Sequence, residues 1–268
     1  MDYTIIIFVI FGILPSLVWL SYYLSKDLHP EPKKTILRIF LWGALITIPV
    51  FFVQIGLNFL LTGKFSANDT PEQYTLHLDI TNPTLYVLIY WFAVIAFSEE
   101  LFKYFVIKVK ILNSPDLDEP LDIMLYMVVA ALGFAALENV LYLFSPTGQM
   151  SFQDLMIRTA LIDFVRFIGA TFLHTLCSAT IGYAVAISLC DEKNRMIEAG
   201  FGILAAVVLH GLYDFSIMTL TGYIKFAVPA IIILTLAFLV FTGFEKLKNM
   251  KGVTELDIQA IKNNKAEN

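Results

Sequence analysis

Seven stretches of this chain are apolar over the length that a helix needs to cross a bilayer, about 20 residues. They run from about 4 to 24, 36 to 62, 84 to 109, 122 to 145, 166 to 190, 197 to 220 and 223 to 244. No other feature limits the fold so strongly, because a segment in lipid must satisfy its own backbone hydrogen bonds and a helix does so internally. Only 15% of the 268 residues are charged and 58% are hydrophobic, with a mean hydropathy of +0.74. A soluble domain carries about a quarter charged residues. The sequence therefore predicts an all-α polytopic transmembrane helix bundle of about seven spans. It fills one membrane-embedded domain over 1–245, followed by a polar tail at 246–268.

Lysine and arginine orient the spans. Lys26, Lys33, Lys34 and Arg38 lie between the first two, Lys108 and Lys110 end the third, Lys193 and Arg195 follow the fifth, and Lys246, Lys248 and Lys251 follow the seventh. The opposite side holds Lys64, Arg158 and Lys225. The positive-inside rule then puts the N-terminus outside and the tail in the cytoplasm. The stretch Tyr3 to Tyr23 lacks a basic leader and a cleavage-site pattern, and is read as a retained span. Phe152 to Val165 carries Asp154, Arg158 and Asp163 at helical spacing. It either lies in the interface or lengthens the fifth span.

Several function classes fall away. The net charge of −5 and the lack of a basic, aromatic-interleaved patch exclude a nucleic-acid partner. Cys177 and Cys190 sit thirteen positions apart in one span, roughly 20 Å along a helix, too far for a disulfide. With no Cys/His cluster, thiolate zinc sites are excluded as well. Asn68-Asp69-Thr70, in the polar outer loop 64–82, is a glycosylation sequon by pattern only, and His77 in that loop and His29 read as solvated.

The ionisable residues are not spread evenly. Spans one, two and seven have none near their centres. Span three holds Glu99, Glu100 and Lys103; span four, Glu138 beside Asn139; span five, His174 with Arg166 nearer its outer end; span six, His210 and Asp214. An ionised group at mid-bilayer costs roughly 2.5 to 3.5 kcal/mol, so each must face protein or a wet cavity. Glu99, Glu138, His174 and His210 fall at depths that let them meet in one layer.

Spacing refines this. Glu99 and Lys103 are four residues apart with Glu100 at three, so the lysine neutralises one acid and leaves the other free. His210 and Asp214 are also four apart, and a carboxylate there fixes the imidazole tautomer. Arg166 and Asp163 read as a structural pair. A lone buried Glu or His commonly just bonds two helices together, but glue has no need of two histidines and four acids in four consecutive spans.

Two imidazoles and one carboxylate suit a catalytic zinc with an open position for water. His174, His210 and one of Glu138 or Asp214 are the candidate ligands, and Glu99 or Glu100 the base. A metal-free site, with a carboxylate and a histidine activating water, uses the same residues. A proton- or ion-coupled transporter would also bury such groups, although internal repeats are not seen. A catalytically dead scaffold is the third alternative.

Four segments carry a resemblance. Glu99-Glu100-Leu101-Phe102-Lys103 looks like an EExxK signature, Gly133-Phe134-Ala135-Ala136-Leu137-Glu138-Asn139 like GFxxxEN, Phe172-Leu173-His174 like a third motif's histidine, and His210-Gly211-Leu212-Tyr213-Asp214 like HxxxD. In this order they resemble the PrsW family of intramembrane proteases, and Asp27 to Lys33 resembles that family's Asp…EPEP lead-in with His-Pro replacing the first Glu-Pro. The likeness runs from about 27 to 220, with the catalytic helices at about 84–220.

The resemblance implies a multi-pass bacterial plasma-membrane peptidase that makes the site-1 cut in a single-pass anti-sigma factor, starting regulated proteolysis. Its implied catalytic residues are Glu99, Glu100, Lys103, Glu138, Asn139 and Asp214, and its implied zinc ligands His174, His210 and Glu138. It also implies kinship with CAAX-type prenyl-protein and bacteriocin-processing proteases. Those carry EExxxR and FxxxH where this chain has EExxK and FxxxE, and some are described as glutamate-dependent without metal.

Overall fold

A computed structural model describes residues 3–27, 29–62, 83–144, 151–190 and 195–250. The outer-loop sequon, His77 and the tail beyond 250 lie outside the described residues. These residues form helices without a strand: α1 (Tyr3–Leu24), α2 (Lys33–Thr62), α3 (Pro83–Ile89), a π-helix (Tyr90–Ala96), α4 (Phe97–Lys110), α5 (Pro120–Leu143), α6 (Phe152–Ile168), α7 (Ala170–Cys190), α8 (Arg195–Thr219) and α9 (Ile224–Asn249). Seven runs are long and apolar enough to cross a membrane, as the apolar stretches foretell.

The helix α5 is the axis of the bundle. It is apolar on every side over most of its length, and a helix of that kind belongs in an interior. It packs against α1, α2, α4, α6, α7 and α9. Its start is fixed by a capping box: Asp122 Oδ2 accepts the backbone N–H of Glu119 at 2.7 Å, and Pro120 occupies the first helical position, where its missing N–H costs nothing. Two glycines bring α2 against it. A Cβ on Gly43 would stand 2.1 Å from the carbonyl of Ala130, and one on Gly133 would stand 2.0 Å from that of Phe40. Between helices in lipid, where no hydrophobic drive exists, such backbone contact is the main source of adhesion.

Phe152–Leu189 forms one apolar run, α6 and α7 being divided by Gly169, whose N–H still donates to Val165 O at 2.9 Å. Phe152 to Val165 thus belongs to a helix of its own, α6, joined through Gly169 to the helix that carries His174. Trp19 of α1 fastens this joint, stacking on Phe172 at 4.1 Å between ring centres and donating Nε1–H to Phe167 O at 3.1 Å. The last span reaches Asn249, five residues past its expected limit.

The third span is not a plain α-helix. Tyr90–Ala96 winds as a π-helix immediately before α4, and it packs against α8, the helix of His210 and Asp214. Such widened turns are rare and often found beside functional residues.

Candidate active site

Four helices, α4, α5, α7 and α8, turn their polar side chains to one buried cluster. Glu99 is 6% exposed, Glu100 and Lys103 0%, and His174 and His210 2% each. Adjacent residues on a helix point about 100° apart, so the two acids of α4 take different partners.

Glu100 is fully engaged. Its Oε1 accepts from Lys103 Nζ at 2.7 Å and lies 2.8 Å from His210 Nδ1, while Oε2 accepts from Ser178 Oγ at 3.3 Å. Lys103 also lies 2.8 Å from His174 Nδ1 and 4.6 Å from the centre of the Phe134 ring. An ammonium can only donate, so Nδ1 of His174 is the accepting nitrogen and carries no hydrogen. The hydrogen then sits on Nε2, which donates to Glu138 Oε2 at 2.8 Å. A buried lysine and a buried glutamate thus fix one imidazole tautomer between them.

Glu99 stands apart. Its Oε1 accepts from Gln54 Nε2 of α2 at 3.2 Å. Its Oε2 is buried and has no hydrogen-bond partner among the described residues. That oxygen lies 3.9 Å from both His174 Nδ1 and His210 Nε2, and 3.9 Å from Lys103 Nζ. His210 Nε2 is also 3.3 Å from Asp214 Oδ2, and the two imidazoles sit 5.0 Å apart nearly at right angles.

The far side is braced by an arginine. Arg166 donates Nη2–H to Glu138 Oε2 at 2.8 Å and Nε–H to Asn139 Oδ1 at 2.5 Å, with its guanidinium 3.9 Å from the centre of the Tyr142 ring. Asn139 passes the contact on, donating to Thr171 Oγ1 at 3.0 Å and to Gly12 O at 3.3 Å. The expected Arg166–Asp163 pair does not form: Asp163 Oδ1 has no partner among the described residues. Local spacing suggested that pair, but Glu138 is the fully ionic partner within a forked guanidinium's reach.

For a metal, the donor group gathered within 4.8 Å is Glu99, His174 and His210. Glu138 lies on the other edge of His174 and is already held by Arg166. Two nitrogens and an orphaned carboxylate oxygen are a donor set that zinc accepts, so the residues fit in kind. Lys103 occupies the Nδ1 lone pair of His174, and that contact must yield for His174 to ligate.

Sequence reasoning brought together Glu99, Glu100, Lys103, Glu138, Asn139, His174, His210 and Asp214, and the structure links them in one network of contacts. It missed Gln54, Ser178 and Thr171. Each is a neutral polar residue; only Gln54, an amide within apolar span two, stands out in retrospect.

Buried carboxylates and imidazoles facing one another inside an apolar bundle suit a membrane-embedded peptidase. Comparison with known sequences gives the family. The family described as PrsW family intramembrane metalloprotease matches residues 31–242, and the chain belongs to it. The Protease PrsW of Oceanobacillus iheyensis is 26% identical over 83% of this chain and 88% of its own length. That of Bacillus subtilis is 25% identical over 92% and 97%, and that of Geobacillus kaustophilus 28% over 77% and 78%. No solved structure matches. With seven spanning helices, this is a multi-pass bacterial membrane protein, and these matches do not favour the transporter or prenyl-protein alternatives.

Proposed function

We propose that the protein cleaves a single-pass anti-sigma factor at its first processing site, with the N-terminus outside and the C-terminus in the cytoplasm. Curated relatives bearing the name of a protease support the activity. The observation that carries the chemistry is the orphaned Glu99 Oε2, 3.9 Å from an imidazole on either side. A carboxylate oxygen buried without a donor awaits a ligand, either a water to deprotonate or a cation.

Zinc held by Glu99, His174 and His210 would polarise the scissile carbonyl and make bound water acidic. Glu138 holds His174 in one tautomer and Arg166 holds Glu138. Lys103 and Glu100 cancel each other's charge, leaving Glu99 as the uncommitted acid. A metal-free version has one observation of its own in favour: Lys103 already donates to His174 Nδ1 at 2.8 Å, and Glu99 Oε2 is then the base.

The test is cleavage of a co-expressed single-pass anti-sigma factor by the wild type and by Glu99→Gln and His174→Ala. Both variants are expected to insert normally and leave the reporter whole. Wild-type levels of cleavage in both would remove the proposal.

A further inference from the structure

We infer that Gln54 is a positioning residue for Glu99, acting on the reaction from a helix outside the four that carry the ionisable cluster. This rests on the peptidase reading and adds a residue to it. Gln54 sits on α2, half-buried among apolar neighbours. Its amide nitrogen lies 3.2 Å from Glu99 Oε1 and 3.3 Å from Ser98 Oγ, so each of its two hydrogens has a taker. The hydroxyl of Ser98 gives its own hydrogen to the backbone, 2.6 Å from Val94 O, and so presents a lone pair to Gln54. An ionised carboxylate only accepts, and the amide shows it nitrogen and not oxygen.

This is the only hydrogen bond made to Glu99 among the described residues. Lys103, His174 and His210 each stand 3.9 Å from Oε2, beyond hydrogen-bond range. Gln54 therefore selects the rotamer. By tying down Oε1 it leaves Oε2 free between the imidazoles, and being neutral it does so without cancelling the charge the chemistry needs. The helix that carries it, α2, lies backbone to backbone against α5 at Gly43 and Gly133. Misplacing a reacting group by about 1 Å costs up to about a hundredfold in rate.

An interhelical bond that merely joined α2 to α4 would affect stability. A positioning bond acts on turnover. The experiment uses purified full-length protein in detergent and a single-pass membrane protein that the wild type cleaves, comparing Gln54→Leu and Gln54→Asn. The asparagine keeps the amide but falls one methylene short. Both are expected to lose about 10- to 100-fold in kcat, with KM within about twofold and little change in melting temperature. If Gln54→Leu does not fold, Gln54→Asn carries the test. A kcat within twofold of wild type for Gln54→Asn, or a loss that follows KM and melting temperature, overturns the inference while leaving the peptidase reading in place. A wild type that cleaves no membrane protein removes both.

Discussion

Lys103 Nζ lies 2.7 Å from Oε1 of Glu100, three residues earlier on the same helix, with both side chains closed off from solvent. Breaking a buried pair by removing one partner costs about 3–5 kcal/mol because the other charge is left uncompensated, whereas removing both charges together is often neutral. Lys103→Met is therefore expected to lower the thermal midpoint in detergent sharply. Adding Glu100→Gln to it should recover most of that loss. A double variant as unstable as the single one would mean that packing, and not charge, sets the cost.

Arg166 contacts Glu138 and Asn139 with two adjacent N–H groups, Nη2 and Nε, on one edge of its guanidinium, and Glu138 in turn holds His174 Nε2. Lysine has no fork and meets only one of the two. Arg166→Gln and Arg166→Lys are both expected to cut the cleavage rate by about 10- to 100-fold, the usual loss when the support behind a ligand or base is removed. Full activity in Arg166→Lys would show that a positive charge near Glu138 suffices without the geometry.

The sequence made the spans legible because lipid imposes length and apolarity on every residue of a span, a signal of some twenty positions each. It made the cluster legible because charge in such a span is expensive and therefore rare; His174 or Glu138 could be singled out with no knowledge of its neighbours. Neutral amides and hydroxyls carry no such cost, which is why Gln54 and Ser178 passed unseen. Arg166 was seen but misassigned. Its partner three residues back was visible in one dimension, whereas Glu138 comes near only once α6 and α7 pack on α5. The π-helix had no signal at all, since Tyr90–Ala96 reads as an ordinary apolar run.

Glu31, in the segment between α1 and α2, accepts the Tyr126 hydroxyl and lies within 4.8 Å of carboxylate oxygens of Asp118 and Asp122. Burial pushes its carboxyl above the usual range, and the charges of Asp118 and Asp27 push the same way. A carboxyl raised in the folded state holds its proton more tightly folded than unfolded. Its contribution is present in full below the unfolded value, about 4.3, and is lost as pH climbs through the folded value. Thermal stability should thus fall as pH rises above about 5, and Glu31→Gln, still an acceptor for Tyr126, should flatten that fall. Parallel curves for the two proteins from about pH 5 to about pH 8 would assign the dependence to other groups.

The last expectation separates ligand from support. Glu99 offers a free oxygen to the space between two imidazoles, while Glu138 meets only the outer nitrogen of His174. If zinc is bound there, elemental analysis of the purified wild type should find about one ion per chain, and Glu99→Gln and His210→Ala should lose it. Glu138→Gln should keep the ion with affinity reduced by about 10- to 100-fold, because it disturbs only the tautomer of His174. Complete loss in Glu138→Gln would instead make Glu138 a ligand. Zinc well below one per chain, with cleavage indifferent to chelators, would leave Glu99 as a base working without metal, and the Lys103–His174 contact as its permanent arrangement.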